Sequence, residues 1–285
     1  IGSNAARLLI TDVSKTQKGI QLIKSNLIRI PLRLGFDVFE TGIISPDKTE
    51  KLLKTILSYK YLMDIYDVVG YKACATSAMR DAANGKEIIQ QIKIQTGIEI
   101  ELISGDKEAA LIHENHVAEY LNNQNGYLYI DVGGGSTELT FYNEGKMIFK
   151  QSYNIGTIRL LKQQVNVHAW DEMKNYIKLH TKNCKTLIGI GSGGNINKIF
   201  SLSKRKEGKP LSLEFLKDSY SEMSKLTVNE RMQLYKLRED RADVLVPALL
   251  IYINVLKWAG ATEIYVPKIG LADGLIHQLY DELNP

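Results

Sequence analysis

The order of apolar and polar positions along the chain predicts strands and helices in alternation. Apolar residues first fall in short runs with turn residues between them, at 7–13, 20–23 and 27–34, which is typical of β-strands. From Pro46 to Met63 they recur instead at helical spacing. The same patterns predict strands at 67–76, 98–103, 127–132, 137–142, 146–153, 186–190 and 263–267, and helices at 78–96, 104–121, 170–183, 213–226, 229–235, 242–259 and 270–283. This alternation indicates an α/β fold with a mixed or parallel sheet.

A short polar segment at 122–126 divides the chain, and the opening pattern returns after it. Each part begins with a glycine-containing turn followed by hairpin strands, at an offset of about 130 residues. This repeat predicts two similar lobes, at 1–121 and 126–285, with the last helix able to pack back on the first lobe. Chance similarity between two hairpins is the alternative interpretation.

Composition excludes several classes of protein. The chain has 285 residues, of which 44% are hydrophobic and 24% charged, with a net charge of +4. That charge suits an anionic ligand, but no dense basic stripe is present, so we expect no nucleic-acid partner. Cys74 and Cys184 lie in no paired motif and are expected to be reduced thiols. No apolar run approaches the roughly 20 residues of a membrane span, so we expect a cytoplasmic protein without a membrane partner.

The segment 131–138, with the sequence Asp-Val-Gly-Gly-Gly-Ser-Thr-Glu, carries the strongest chemical signal. Glycines 133, 134 and 135 allow backbone amides to face a bound anion, and the hydroxyls of Ser136 and Thr137 add donors. Asp131 suits a hard divalent cation that accompanies phosphate, and Glu138 could hold the same metal or a water molecule. We therefore predict a phosphate site here, with a plain glycine-rich hairpin as the alternative.

Two further glycine turns could serve the same purpose. Gly2, Ser3 and Asn4 form a smaller turn which, through the repeat, predicts a second phosphate-binding loop facing the first across a cleft. The segment 191–194 lies between a predicted strand and a predicted helix, where an anion could bind, although a simple connecting turn fits equally well. The chain opens as if in the last residues of a strand, so we expect a few residues to precede Ile1.

Glu108 and Arg80 each have a functional and a structural interpretation. Glu108 follows Gly105 in the first turn of a predicted helix, where it could act as a general base or simply interact with the helix terminus. Arg80 could neutralise a phosphate with its planar guanidinium group or form a surface ion pair.

These segments together resemble the exopolyphosphatase and guanosine pentaphosphate phosphohydrolase family, within the actin, Hsp70 and sugar-kinase superfamily. The resemblance covers essentially the whole chain and is carried by 1–8, 75–82, 103–109, 131–138, 241–243 and 270–276. It implies two actin-like (ribonuclease H-like) α/β lobes with an interdomain cleft, in the short form of the family. It also places the family's catalytic glutamate on Glu108. The family's first loop normally begins with an Asp just before the point where this chain starts, so that carboxylate lies outside the given sequence. Within the sequence, Lys107 and Ala110 stand where the family usually has an acidic residue and an arginine.

The resemblance implies a hydrolase that releases the terminal phosphate of inorganic polyphosphate with Mg²⁺ or another divalent cation. Guanosine pentaphosphate is the alternative substrate, and a homodimer is possible. In this interpretation Glu108 orients and deprotonates the attacking water, Asp131 binds the metal, and Arg80 steadies a phosphate. Glu138 is a catalytic residue that holds the water or the metal. An ATP-dependent kinase, with 191–194 as its nucleotide pocket, and a non-catalytic polyphosphate or alarmone sensor remain open.

Overall fold

The computed structural model describes residues 1–16, 19–105, 107–108, 111, 125–267 and 270–284. The chain forms two compact units: the first comprises Ile1–Ile103 with Ala272–Pro285, and the second comprises Ser104–Leu271. The segment 122–126, which the sequence marks as a linker, lies mostly outside the described residues.

The described residues of the first unit form two small sheets and four helices up to residue 103, with the last helix of the chain added. A long antiparallel hairpin joins β1 to β2, and a short parallel pair joins β3 to β4. The elements are β1 (Ala6–Thr16), β2 (Gly19–Ile30), α1 (Leu34–Thr41), α2 (Pro46–Ile65), β3 (Cys74–Ala75), α3 (Ser77–Asp81), α4 (Gly85–Thr96), β4 (Glu101–Leu102) and, at the end of the chain, α12 (Leu271–Leu283). Lys24 pairs with Asp273 and Lys72 with Glu282, which ties α12 to the elements of this unit.

Several sequence predictions for the first unit are wrong, and local chemistry explains each one. The predicted strand at 67–76 shrinks to β3, because Asp67 adopts φ 50° and the Val68 amide bonds back to the Met63 carbonyl, which closes α2. The predicted strand at 27–34 ends at Ile30, because Pro31 donates no backbone hydrogen bond. Its last residue instead opens α1.

The second unit has a six-stranded sheet at its centre. Its strand order is β7-β6-β5-β8-β10-β9, where β7, β6 and β5 pair antiparallel and β5, β8 and β10 pair parallel. The strands are β5 (Gly126–Val132), β6 (Thr137–Asn143), β7 (Lys146–Tyr153), β8 (Leu187–Ser192), β9 (Leu211–Ser212) and β10 (Glu263–Tyr265). Beyond residue 125, the described helices of this unit are α5 (Thr157–Leu161), α6 (Val167–Thr181), α7 (Gly194–Leu202), α8 (Leu213–Ser224), α9 (Val228–Leu234), α10 (Glu239–Ala242) and α11 (Leu245–Ala259). Most of the predicted helix at 104–121 lies outside the described residues.

Helix α11 forms the centre of the second unit's core. It packs against α6, α8 and β5, and most of its side chains are buried. Pro247 lies in its first turn, where the missing amide proton costs no intrahelical bond, so the helix tolerates it. Within the described residues, one helical stretch is long and apolar enough to cross a membrane, at 239–259. Of its apolar segment, 67% is buried inside the protein. Packing in the core accounts for its apolar composition.

Candidate functional site

Four polar side chains form a row across neighbouring strands of the second unit's sheet. Glu138 on β6 lies directly opposite Asp131 on β5, and Ser152 on β7 lies opposite Glu138 on its other side. Ser192 at the end of β8 lies beside Asp131 in the parallel register. Because directly paired residues project to the same face of a sheet, these side chains are neighbours. We refer to Ser152, Glu138, Asp131 and Ser192 as the acidic row.

Each carboxylate of the acidic row accepts a hydrogen bond from the serine beside it. The Ser192 hydroxyl donates to Asp131 Oδ2 at 2.9 Å, and the Ser152 hydroxyl donates to Glu138 Oε1 at 3.0 Å. Glu138 is only 4% exposed, while Asp131 is half-buried. The two carboxylates are therefore held side by side in a partly desolvated place.

The glycine turn between β5 and β6 is held from one side by the start of α5. The amides of Thr157 and Ile158 donate to the carbonyls of Gly133 and Gly134, at 3.0 and 2.8 Å. Arg159 Nε donates to the Gly135 carbonyl at 2.8 Å. In a trans peptide the amide points opposite to the preceding carbonyl.

The amides of residues 134, 135 and 136 therefore point away from α5. None of these three amides donates a hydrogen bond to another described residue. Backbone amides that face outward from a turn in this way can bind an anion.

Thr137, which the sequence places among the phosphate donors, has its hydroxyl inside the protein. The hydroxyl donates to the Ile155 carbonyl at 2.5 Å, and the side chain is fully buried. The alternation of a strand accounts for this, since Thr137 faces away from the side on which Glu138 lies. Ser136 is also buried, at 3% exposure.

Glu108 is carried by a helical turn that begins against the acidic row. Ser104 caps this turn, because its hydroxyl accepts from the Lys107 amide at 3.1 Å and its carbonyl accepts from the Glu108 amide at 2.9 Å. A Cβ added at Gly105 would lie 2.5 Å from Ser152 Oγ and 3.7 Å from Glu138 Oε1. Glycine thus permits the close approach that brings the start of the Glu108 helix to the row.

The segment 191–194, a predicted nucleotide or anion loop, contacts a carboxylate instead. Gly193 has φ 91°, and a Cβ there would lie 2.7 Å from Asp131 Oδ1. Helix α7 begins at the next residue, so its positive N-terminal end faces the Asp131 carboxylate. The Asn195 side chain donates to the Val132 carbonyl at 2.9 Å, which fastens the start of α7 to β5.

Tyr252, on α11, contacts the acidic row from within the core, and no sequence motif marks it. Its hydroxyl donates to the Ser192 carbonyl at 3.1 Å. Burial, together with the nearby Asp131 and Glu138 carboxylates, raises the pKa of Tyr252 well above its ordinary value. The phenol therefore remains protonated and available as a donor.

The first unit contains a loop with the same hydrogen-bonding plan. The Gly2 amide donates to the Ala5 carbonyl at 3.0 Å, just as the Gly133 amide donates to the Ser136 carbonyl at 2.9 Å. The carbonyls of Ser3 and Asn4 accept from amides at residues 35 and 33, at the start of the next helix. The two loops therefore share a closing hydrogen bond and have carbonyls bonded to the start of the next helix, as the internal repeat predicts.

Two predicted residues of the first unit have partners inside that unit. The hydroxyls of Ser3 and Ser77 are hydrogen-bonded at 2.8 Å, and both side chains are buried. One arm of the Arg80 guanidinium donates to the Ile103 carbonyl at 2.8 Å, while Nε lies 3.7 Å from Asp81 Oδ1. Arg80 is thus anchored at one end and partly exposed.

The oxygen ligands of the acidic row fit a magnesium ion. Mg²⁺ is usually held by one or two carboxylates, with water and substrate phosphates completing its shell. Asp131 and Glu138 supply such a pair. Among the described residues, no cluster of three or more His, Cys, Asp or Glu surrounds a common point, so an ion caged by protein ligands alone is not supported by this part of the chain.

Comparison with known families identifies the family of this chain. The sequence profile of the Ppx/GppA phosphatase family matches residues 12–283. The chain belongs to this family. The matched range includes the acidic row, the glycine turn and the turn that carries Glu108.

Curated Ppx/GppA relatives are longer than this chain. A bifunctional 3-dehydroquinate synthase/phosphatase from Fusobacterium nucleatum is 27% identical over 239 residues, which cover 82% of this chain and 34% of that protein. Exopolyphosphatase 2 of Mycobacterium tuberculosis is 28% identical over 167 residues, covering 57% of this chain and 52% of that protein. The chain therefore spans about a third to a half of the length of these relatives.

Solved Ppx/GppA structures match over nearly the whole chain. An exopolyphosphatase from Cytophaga hutchinsonii has a TM-score of 0.81 and 25% identity, covering 99% of this chain and 96% of that one. The Aquifex aeolicus family member has a TM-score of 0.76 and 24% identity, covering 100% and 97%. These matches confirm the predicted α/β class and the actin-like two-lobe fold.

Proposed function

We propose that this chain is a Mg²⁺-dependent phosphohydrolase that releases the terminal phosphate of inorganic polyphosphate. The acidic row carries the proposal, because it places two oxygen-ligand carboxylates beside an anion-binding glycine turn. The Glu108 turn begins against the same row, through the contact of Gly105 with Ser152 and Glu138. Phosphoryl transfer requires mainly positioning and charge stabilisation, and these parts supply both.

The glycine turn supports phosphate binding through its backbone. The amides of residues 134, 135 and 136 and the Ser136 hydroxyl would donate to phosphate oxygens, while the carbonyls stay bonded to α5. In the first unit, the turn at Gly2, Ser3 and Asn4 has the same backbone plan and would bind another phosphate in the same way. Arg80, anchored through one arm, would present the rest of its guanidinium group to an anion.

The carboxylates of Asp131, Glu138 and Glu108 would have different chemical roles. Asp131 and Glu138 would hold Mg²⁺, which when bound offsets the charge of the transferring phosphoryl group. Glu108 would accept the proton of the attacking water at a carboxylate oxygen and orient that water. Glu138, fixed by Ser152, would also hold the water in place.

Polyphosphate is the preferred substrate because two of the relatives named above carry the name exopolyphosphatase. Guanosine pentaphosphate is the second candidate, and the family name covers both activities. Each substrate offers a run of phosphates, which suits binding by repeated amide turns.

Phosphate release tests the proposal directly. Purified protein is incubated with polyphosphate or guanosine pentaphosphate, with Mg²⁺ and with EDTA, and free phosphate is measured over time. We expect Mg²⁺-dependent release from polyphosphate, and faster release from guanosine pentaphosphate would reassign the substrate. Absence of release from both would contradict the hydrolase proposal.

Two binding measurements separate the remaining alternatives. Calorimetric titration with ATP, followed by a search for phosphoryl transfer to an acceptor, tests a kinase of the same superfamily. Tight polyphosphate binding without turnover would establish a sensor. We expect neither result, because the carboxylates beside the glycine turn and the turn that carries Glu108 support hydrolysis.

A further inference from the structure

Ser192 joins the last residue of strand β8 to the carboxylate of Asp131. Its hydroxyl donates to Asp131 Oδ2 at 2.9 Å, and the residue is only 2% exposed. The terminal torsion of an aspartate side chain has a broad distribution, so a hydrogen bond to one carboxylate oxygen narrows its orientation. The hydroxyl therefore fixes which way Asp131 presents its oxygens.

Ser192 is itself held on two further sides. The buried Tyr252 hydroxyl donates to the Ser192 carbonyl at 3.1 Å. The next residue, Gly193, adopts φ 91° and lies so close to Asp131 Oδ1 that a Cβ would be 2.7 Å away. The serine cannot move without disturbing the core helix or the start of α7.

We propose that Ser192 is a positioning residue that orients Asp131 for divalent-metal binding, and that the 191–194 turn exists to hold this carboxylate. The proposal rests on the proposed function in taking Asp131 as a metal ligand. Ser192 itself touches neither substrate nor metal in this proposal and acts through Asp131.

Loss of the Ser192 hydroxyl should lower the affinity for the metal more than it lowers the turnover rate. Hydrogen bonds to a ligating carboxylate orient it, and their loss typically weakens metal binding or activity by about 10–100-fold. Without the Ser192 hydroxyl, Asp131 Oδ2 would lose the bond that orients it, so part of the ordering of this carboxylate would fall to the moment of metal binding. Saturating metal would restore that order, so turnover at high Mg²⁺ would be retained.

The test measures metal binding directly, in the full chain and without substrate. Mn²⁺ is titrated into wild type, Ser192→Ala and Ser192→Cys, and free Mn²⁺ is followed by electron paramagnetic resonance, with Mg²⁺ as competitor. Ser192→Cys keeps nearly the same volume with a weaker donor, so it remains informative if the alanine variant folds poorly. Asp131→Asn serves as the variant expected to lose binding. Ser201→Ala, an exposed serine on α7, serves as the matched control.

We expect Ser192→Ala to bind Mn²⁺ about 10-fold more weakly or worse, Ser192→Cys to lie in between, and Ser201→Ala to match wild type. The Mg²⁺ concentration for half-maximal phosphate release should rise in parallel, with turnover at saturating Mg²⁺ retained. Mn²⁺ affinity within twofold of wild type in Ser192→Ala would overturn the proposal, as would absence of specific Mn²⁺ binding in wild type. Since phosphate release is a separate measurement, failure here is distinguishable from failure of the proposed function.

Discussion

Asp131 and Glu138 lie directly opposite each other on two hydrogen-bonded antiparallel strands. Like charges in such a pair repel, because the Cβ atoms of facing residues are about 4.5–5.5 Å apart. Serine hydroxyls on both flanking strands bond to these carboxylates, and the N-terminus of α7 faces Asp131. The protein thus holds two negative charges close together, and a bound divalent cation would reduce the repulsion between them.

The first prediction follows from this repulsion. Glu138→Gln should raise the stability of the metal-free protein slightly, by up to about 1 kcal/mol, because one of two facing charges is removed. The same change should abolish most of the stabilisation that Mg²⁺ gives to wild type, and most activity. Thermal unfolding in EDTA and in Mg²⁺ measures the two stability effects, and phosphate release measures the activity. Glu144→Gln, in the exposed turn after β6, is the control, and an unchanged Mg²⁺ effect in Glu138→Gln would contradict a ligand role.

The second prediction concerns the proposed general base. Glu108→Gln should lower turnover by about 10²-fold or more, because the amide cannot accept the proton of water. The melting temperature should hardly change, since Glu108 is half-buried and the Ser104 cap that forms its turn is untouched. Near-normal turnover in a folded Glu108→Gln protein would rule out this role.

The fold was predictable wherever local pattern and tertiary packing agree. Helices α2, α6 and α11 have long apolar stripes, and the structure places all three within a few residues of the prediction. The short helix α1 was missed, because its apolar residues continue those of the preceding strand without a break in pattern. Helix 78–96 is interrupted after Asp81, which no periodicity indicates. At this break Gly85 lies close to the Met79 carbonyl, and such a contact between two helices does not show in the apolar periodicity.

The candidate site could be predicted where its residues lie close together in the sequence. Asp131 and Glu138 flank one glycine turn, so sequence separation alone brings them together. The contributions of Ser152, Ser192 and Tyr252 depend on strand order and on a core helix distant in the chain. No sequence motif marks them. The direction of the Thr137 hydroxyl follows from strand alternation and could have been derived in advance.

The third prediction tests how closely α5 approaches the glycine turn. A Cβ at Gly156 would lie 2.4 Å from the Gly134 carbonyl oxygen and 2.5 Å from the Gly135 carbonyl carbon. Both are backbone atoms, so Gly156→Ala must displace the turn. We expect a loss of about 2 kcal/mol or more in the free energy of unfolding, with loss of activity.

Gly270→Ala is the matched control for that experiment, because a Cβ there meets no atom within 4 Å. Denaturant unfolding of both variants gives the comparison. Equal stability of the two variants would mean that the turn and α5 are not packed as described.

The fourth prediction separates backbone positioning from charge at Arg159. Its Nε donates to the Gly135 carbonyl, which keeps the following amide pointing outward. Arg159→Ala should raise KM for polyphosphate about 10-fold, with a smaller effect on kcat. Arg159→Lys should recover little of this, because lysine cannot reproduce the planar geometry of the guanidinium donor. Full recovery by lysine would indicate that charge alone matters.

Asp37 connects two helices of the first unit, and its ionisation should affect stability. Lys48 at the start of α2 donates to one Asp37 oxygen and to the Arg33 carbonyl, and the Ser45 amide donates to the other oxygen at 3.1 Å. Burial alone would raise the pKa of Asp37, but the hydrogen bonds from Lys48 and Ser45 outweigh it and leave the pKa below 3.8. Folding therefore favours the ionised form.

The fifth prediction is the pH dependence of this contact. Because the folded-state pKa is the lower one, the stabilisation is complete above the unfolded-state value of 3.8 and is lost as the pH falls through the folded-state value. Asp37→Asn should therefore cost about 1–2 kcal/mol at pH 7 and progressively less below about pH 4. Asp47→Asn is the control, since its exposed pair with Lys51 should contribute less than about 0.5 kcal/mol. Denaturant unfolding of both variants from pH 3 to 7 measures the difference, and a pH-independent cost in Asp37→Asn would show that ionisation plays no part.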